Sequence, residues 1–375
     1  MTKSNRLVRL YAEQGQSPWL DNLRRDLVRS GELASVRDSG VRGLTSNPTI
    51  FQKAIQGSAD YDEQFFSLRA AGASIPECYW EMVVSDIHGA LDVFATLYET
   101  SRGADGFVSV EVDPNLAHDT EATLTAGRDL WNRVARPNLM IKIPATVEGL
   151  PAIRRMIAEG RNVNVTLIFG LERYQRVMDA YIEGLQDRVA AGLDVSNIAS
   201  VASFFISRVD SEVDRRLEAS GTTAARAVQG KAAVAQAKLA YEAFQRTFDG
   251  HRWSTLASLG ARVQRPLWAS TSTKNPSYPD TLYVDELIGP STVNTLPDAT
   301  IDAFADHGTV ARRIDADVTE CHRVWSLLPR LGVDMDDVAE QLEREGVASF
   351  RKSFDELLAA LNAKDQENRL SRRAD

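Results

Sequence analysis

Asn138-Leu139-Met140-Ile141-Lys142-Ile143-Pro144-Ala145-Thr146 is a short apolar strand with one lysine at its centre. Side chains of a strand alternate between faces, so Ile141 and Ile143 point one way and Met140 and Lys142 the other. Both faces are apolar enough to be covered, as in a parallel sheet flanked by helices. Burying a lysine there is costly, because desolvation disfavours the ammonium form. That cost is useful where the neutral amine serves as a nucleophile. The ordinary reading of one lysine in an apolar run is an edge residue that snorkels to water. The rest of the chain decides between the two.

Outward from this stretch, strand-like runs alternate with helical patterns. Upstream are a run ending Pro18-Trp19-Leu20-Asp21, a second at 40–47 and a third at 106–112 stopped by Asp113-Pro114. Asn47 before Pro48 is a strong helix start. Downstream runs lie at 162–169, 199–206, 265–270 and 292–296. Helical spacing predicts helices near 58–71, 76–100, 119–135 and 171–191, then a long Ala-rich helical insertion over about 209–262. Helices near 298–306, 317–331 and 334–362 follow, and residues 363–375 read as a polar, mobile tail. Eight strands interleaved with helices predict a single (β/α)8 barrel over 1–362. The rival, an open doubly wound sheet, lacks its usual G-x-G-x-x-G or G-x-x-x-x-G-K-[ST] signature.

In such a barrel, catalysis occurs at the C-terminal strand ends. Polar residues gather at those positions: Asp21, Thr45 and Asn47, Ser109 and Glu111, Lys142, Asn164 and Thr166, Ser203 with Arg208 beyond, and Ser270 with Lys274 in the loop. A purely structural barrel layer would carry Val, Ile or Leu there. Each residue also has a plainer explanation. Asp21 and Asn47 suit helix caps. Glu111 suits a solvent-facing strand position. Asn164 and Thr166 suit backbone satisfaction. Arg208 suits a pair with Asp210 or Glu212. Lys274 suits a solvated loop. Their shared place around Lys142 favours a polar pocket.

Composition narrows the classes. The 375 residues are 43% hydrophobic and 25% charged, ordinary for a globular chain. A formal net charge of −9 argues against nucleic-acid binding. Two cysteines, Cys78 and Cys321, supply no disulfide framework, which points to a reducing cytoplasm. No stretch reaches transmembrane length, so no membrane partner is expected. The five histidines form no metal-ligand pair at motif spacing, and no G-x-S-x-G elbow occurs.

Thr45-Ser46-Asn47-Pro48-Thr49-Ile50-Phe51 and Ile141-Lys142-Ile143-Pro144-Ala145-Thr146 resemble the two signature regions of the transaldolase family. Val163-Asn164-Val165-Thr166-Leu167-Ile168-Phe169 and Ser203-Phe204-Phe205-Ile206-Ser207-Arg208 fit the same family. The resemblance spans roughly residues 15–330. It implies a (β/α)8 barrel that moves a dihydroxyacetone unit between sugar phosphates, without metal or organic cofactor, as a monomer or homodimer. It further implies that Lys142 forms the Schiff base and Asp21 is the acid/base for carbon–carbon cleavage. Glu111 and Thr166 would handle a catalytic water, while Asn47, Asn164 and Ser203 bind the transferred unit. Arg208 would hold phosphate. The family's second phosphate arginine has no counterpart in Ala269-Ser270-Thr271-Ser272-Thr273-Lys274-Asn275, so Lys274 is expected in its place, with charge but no bidentate fork. The alternatives are an aldolase that releases free dihydroxyacetone from fructose 6-phosphate and a non-catalytic barrel scaffold.

Overall fold

Eight parallel strands close on themselves in chain order: β1 (Gln16–Leu20), β2 (Leu44–Thr45), β3 (Val108–Glu111), β4 (Leu139–Pro144), β5 (Val163–Ile168), β6 (Ser200–Phe205), β7 (Arg265–Ala269) and β8 (Thr292–Leu296). This structure, a computed structural model, describes residues 5–374 and side chains through Ser371. It is the expected (β/α)8 barrel. Five residues of β1 pair in register with β8, from Gln16 opposite Thr292 to Leu20 opposite Leu296, and closure leaves no free sheet edge. All six residues of β4 are buried, as expected of a strand walled by side chains inside and helices outside.

The second strand is shorter than the 40–47 run. Only Leu44 and Thr45 pair; Asn47 already caps the helix Pro48–Gln56, its side chain accepting from the Ile50 amide at 3.0 Å. The strand ends where a cap and a proline make helix cheaper than sheet. After β6 the chain runs through the helices Ser207–Ser220, Thr223–Arg226, Ala232–Phe248 and His251–Ser258. The first stops at Gly221 in the left-handed conformation. The Ala-rich third is fastened where Gln236 donates to the Phe169 carbonyl (2.9 Å) and Asp210 accepts from the Ala233 amide (2.8 Å).

The final helix, Met335–Ala374, is 40 residues long and continues through the polar segment from 363. It passes over the mouth of the barrel. Two glycine positions let it approach closely. A Cβ at Gly346 would lie 2.9 Å from Leu167 Cδ2, and one at Gly170 would lie 2.9 Å from Ala339 Cβ. Polar ties run along its length: Arg173 to Glu343, Thr49 to Ser353, Gln52 to Glu356, and Arg69 to Asp365. The polar residues near the C-terminus are therefore partly engaged with the barrel's own helices. Among the described residues, no helix is long and apolar enough to cross a membrane.

Candidate active site

Strand register builds the centre. Glu111 on β3 lies opposite Lys142 on β4, and Lys142 lies opposite Asn164 on β5, so three polar side chains share one level of the barrel. Lys142 Nζ donates to the Ser46 carbonyl at 3.1 Å and lies 3.1 Å from Glu111 Oε2. Their side chains are only 5% and 2% exposed, which rules out snorkelling. The contact is an ion pair without the angles of a directed hydrogen bond. Both Glu111 oxygens and the hydroxyls of Thr45 and Thr166 are thus buried without hydrogen-bond partners. Burial pushes the Glu111 carboxyl above its usual range, against the opposing pull of Lys142.

Beside this pair is an ordered relay. Ser203 donates to Asn164 Oδ1 (2.7 Å), and the Asn164 amide donates to Ser109 Oγ (3.0 Å). Thr166 precedes a local irregularity. Leu167 has φ 58°, and the β5–β6 register shifts between Val165 and Ile168. A left-handed leucine costs about 1–2 kcal/mol. The C-terminal helix, packed against Leu167 at Gly346, helps hold it there.

A cavity of about 350 Å³ opens above this layer. Its walls include Asp21, Asn47, Lys142, Thr166, Ser203, Arg208 and Lys274. Glu111 and Asn164 lie beneath, reached through Lys142 and Ser203. All nine residues expected from the sequence are therefore brought to one place. Several plainer explanations fail. Asp21 caps no helix: the next helix starts at Arg25 with no side-chain cap. Glu212 pairs with Arg215 and Arg216, leaving Arg208 to the cavity. Asn47 both caps its helix and lines the cavity. Burial pushes Asp21 up, with Lys142 and Lys274 acting against it. At the rim, burial lowers Arg208. Lys274 is held below its ordinary value first by desolvation and then by repulsion from Arg208. Lys274 is open to solvent, which screens that shift.

The cation-bearing segments are fixed to one another. Tyr278, downstream of Lys274, donates to Asp214 (2.6 Å) on the helix that carries Arg208. Ser207 and Ser270 share a hydroxyl contact of 2.9 Å. The sequence reading missed Lys53, Ser349 and Phe350 in the cavity wall. Lys53 was within reach, because Asn47, Ile50 and Lys53 recur at three-residue spacing on one helix. Ser349 and Phe350 had no local signal; they arrive from the distant C-terminal helix, with the Phe350 ring 5.9 Å from Lys142 Nζ.

Residues 18–361 match the family described as Transaldolase/Fructose-6-phosphate aldolase. The chain belongs to this family. A transaldolase of Saccharopolyspora erythraea is 53% identical over 360 residues, covering 96% of this chain and 97% of the relative. A transaldolase of Parafrankia sp. is 54% identical over 346 residues, 92% and 94% of the two chains. A transaldolase of Mycolicibacterium smegmatis is 50% identical over 362 residues, 96% and 97% of the two chains.

Proposed function

We propose that the protein is a transaldolase. It passes a dihydroxyacetone unit from sedoheptulose 7-phosphate or fructose 6-phosphate to an aldose phosphate through an imine on Lys142. The carrying observation is the buried Lys142–Glu111 pair at the floor of a polar cavity rimmed by cations. Glu111, raised by burial, is suited to accept a proton and so release the neutral amine for attack on the ketose carbonyl. Loss of water from the carbinolamine gives the protonated imine. Glu111 and Thr166, with acceptor and hydroxyl groups unpaired, are placed to exchange protons with that water.

The imine then withdraws electrons as the C3–C4 bond breaks. Asp21 takes the C4 hydroxyl proton, the aldose leaves, and the three-carbon unit remains as an enamine on Lys142. The acceptor aldehyde enters, the new carbon–carbon bond forms, and Asp21 returns its proton to the new alkoxide. Hydrolysis of the imine frees the lysine. Asn47, Asn164 and Ser203 hold the hydroxyls of the bound unit; Arg208 and Lys274 hold phosphate. The reading includes a cytoplasmic protein acting as monomer or homodimer, and both cysteines are free and buried.

A carboxylate at Glu111 beside the lysine favours transfer over simple release. A coupled assay separates them. With fructose 6-phosphate and erythrose 4-phosphate, the expected products are sedoheptulose 7-phosphate and glyceraldehyde 3-phosphate. Accumulation of free dihydroxyacetone with no transfer would show an aldolase instead.

A further inference from the structure

Three cations face one cavity mouth from three separate segments. Lys53 comes from the helix after β2, Arg208 from the helix after β6 and Lys274 from the loop after β7. Among the described residues, none of the three has a carboxylate within ion-pairing distance, although most arginines of this acidic chain are so paired. Lys274 Nζ donates only to Ser272 Oγ (2.7 Å). Arg208 lies 5.5 Å from the Phe205 ring centroid. Like charges held together repel one another: besides burial, Arg208 and Lys53 depress Lys274, and Asp21 in the same cavity offsets this only in part. A dianion entering between them relieves that repulsion.

We propose that Lys53 is a third ligand of the substrate phosphate, working with Arg208 and Lys274. The inference rests on the sugar-phosphate reading above and extends it. A single planar arginine can hold a phosphate with two parallel bonds, whereas a lysine offers a point charge on a flexible stem. Two lysines from separate segments of the mouth make up in charge what Lys274 lacks in geometry. They also give the site breadth, because flexible stems can follow phosphates carried on ketoses of different length. Lys53 also sits in the last turn of its helix, where a cation favours the helix dipole. That role would leave phosphate binding untouched, so the two are separable.

The test compares wild type, Lys53→Met and Lys53→Arg in two measurements. These are the affinity for inorganic phosphate by calorimetry and the KM for fructose 6-phosphate. Lys53→Met should weaken phosphate binding and raise KM by about fivefold, the scale of one solvent-exposed charge contact. Lys53→Arg should recover most of both, and the difference should shrink at high ionic strength. Unchanged phosphate affinity in Lys53→Met, or no recovery in Lys53→Arg, would overturn the assignment. If the wild type fails to transfer, the sugar-phosphate reading falls, and the calorimetric result still decides Lys53 by itself.

Discussion

The two ends of the barrel hold similar residues and treat them differently. At the N-terminal end, Asp105 is fully buried and its carboxylate accepts from Ser17 (2.6 Å), Arg42 (2.8 Å), Arg265 (3.2 Å) and the Trp19 indole (3.3 Å). At the C-terminal end, Glu111 is also buried, yet it has one ion-pair contact and no directed donor. The first carboxylate is closed by its surroundings and ties β1, β3 and β7 together. The second is left open to react. Buried polar groups ordinarily find partners, and the fewer fixed partners of Glu111 suit a group that exchanges protons.

The strongest way to break this contrast is to exchange the outcomes. Lys142→Met should cost at least about 10⁴-fold in turnover while leaving the fold intact, because an apolar chain replaces a buried amine and Glu111 can take up a proton. Activity and thermal unfolding on one preparation check this; unfolding of that variant would make Lys142 structural. Asp105→Ala should do the reverse. It should lose about 3–5 kcal/mol of stability in urea denaturation, the scale for breaking a buried charge network, with kcat/KM of the folded fraction kept. Thr166→Val sharpens the contrast further. Removing an unpartnered buried hydroxyl should leave stability equal or raise it by up to about 1 kcal/mol, while kcat falls by about tenfold.

The smallest effect is in pH dependence. Asp21 and Glu111 are both raised by burial, so the acid limb of the kcat/KM profile should lie above the ordinary carboxylate range. The folded state then binds protons that the unfolded chain releases. These groups therefore favour folding at low pH and lose that contribution as pH rises through their raised values. The site should be most stable where it is least active. Glu111→Gln should flatten the stability trend when urea midpoints are measured across pH.

Most of the barrel was legible because periodicity and caps are local. The lysine in β4, the Asn47-Pro48 start and the polar strand ends are each written within a few residues. Two things were not legible. Run length overstated β2, because composition does not show where a cap overtakes pairing. Ser349 and Phe350 reach the cavity from a helix nearly 200 residues beyond Lys142, a placement that depends on close approach at Gly346 and Gly170. The sequence also offered Asp210 or Glu212 to Arg208, but Glu212 pairs with Arg215 and Arg216, and Asp210 accepts from Tyr283 and the Ala233 amide.

Borohydride reduction in the presence of fructose 6-phosphate, followed by peptide mapping, tests whether Lys142 forms the imine. One stable three-carbon adduct is expected, on the peptide carrying Lys142, with loss of activity in proportion to labelling. An adduct on another lysine, or none, would contradict it.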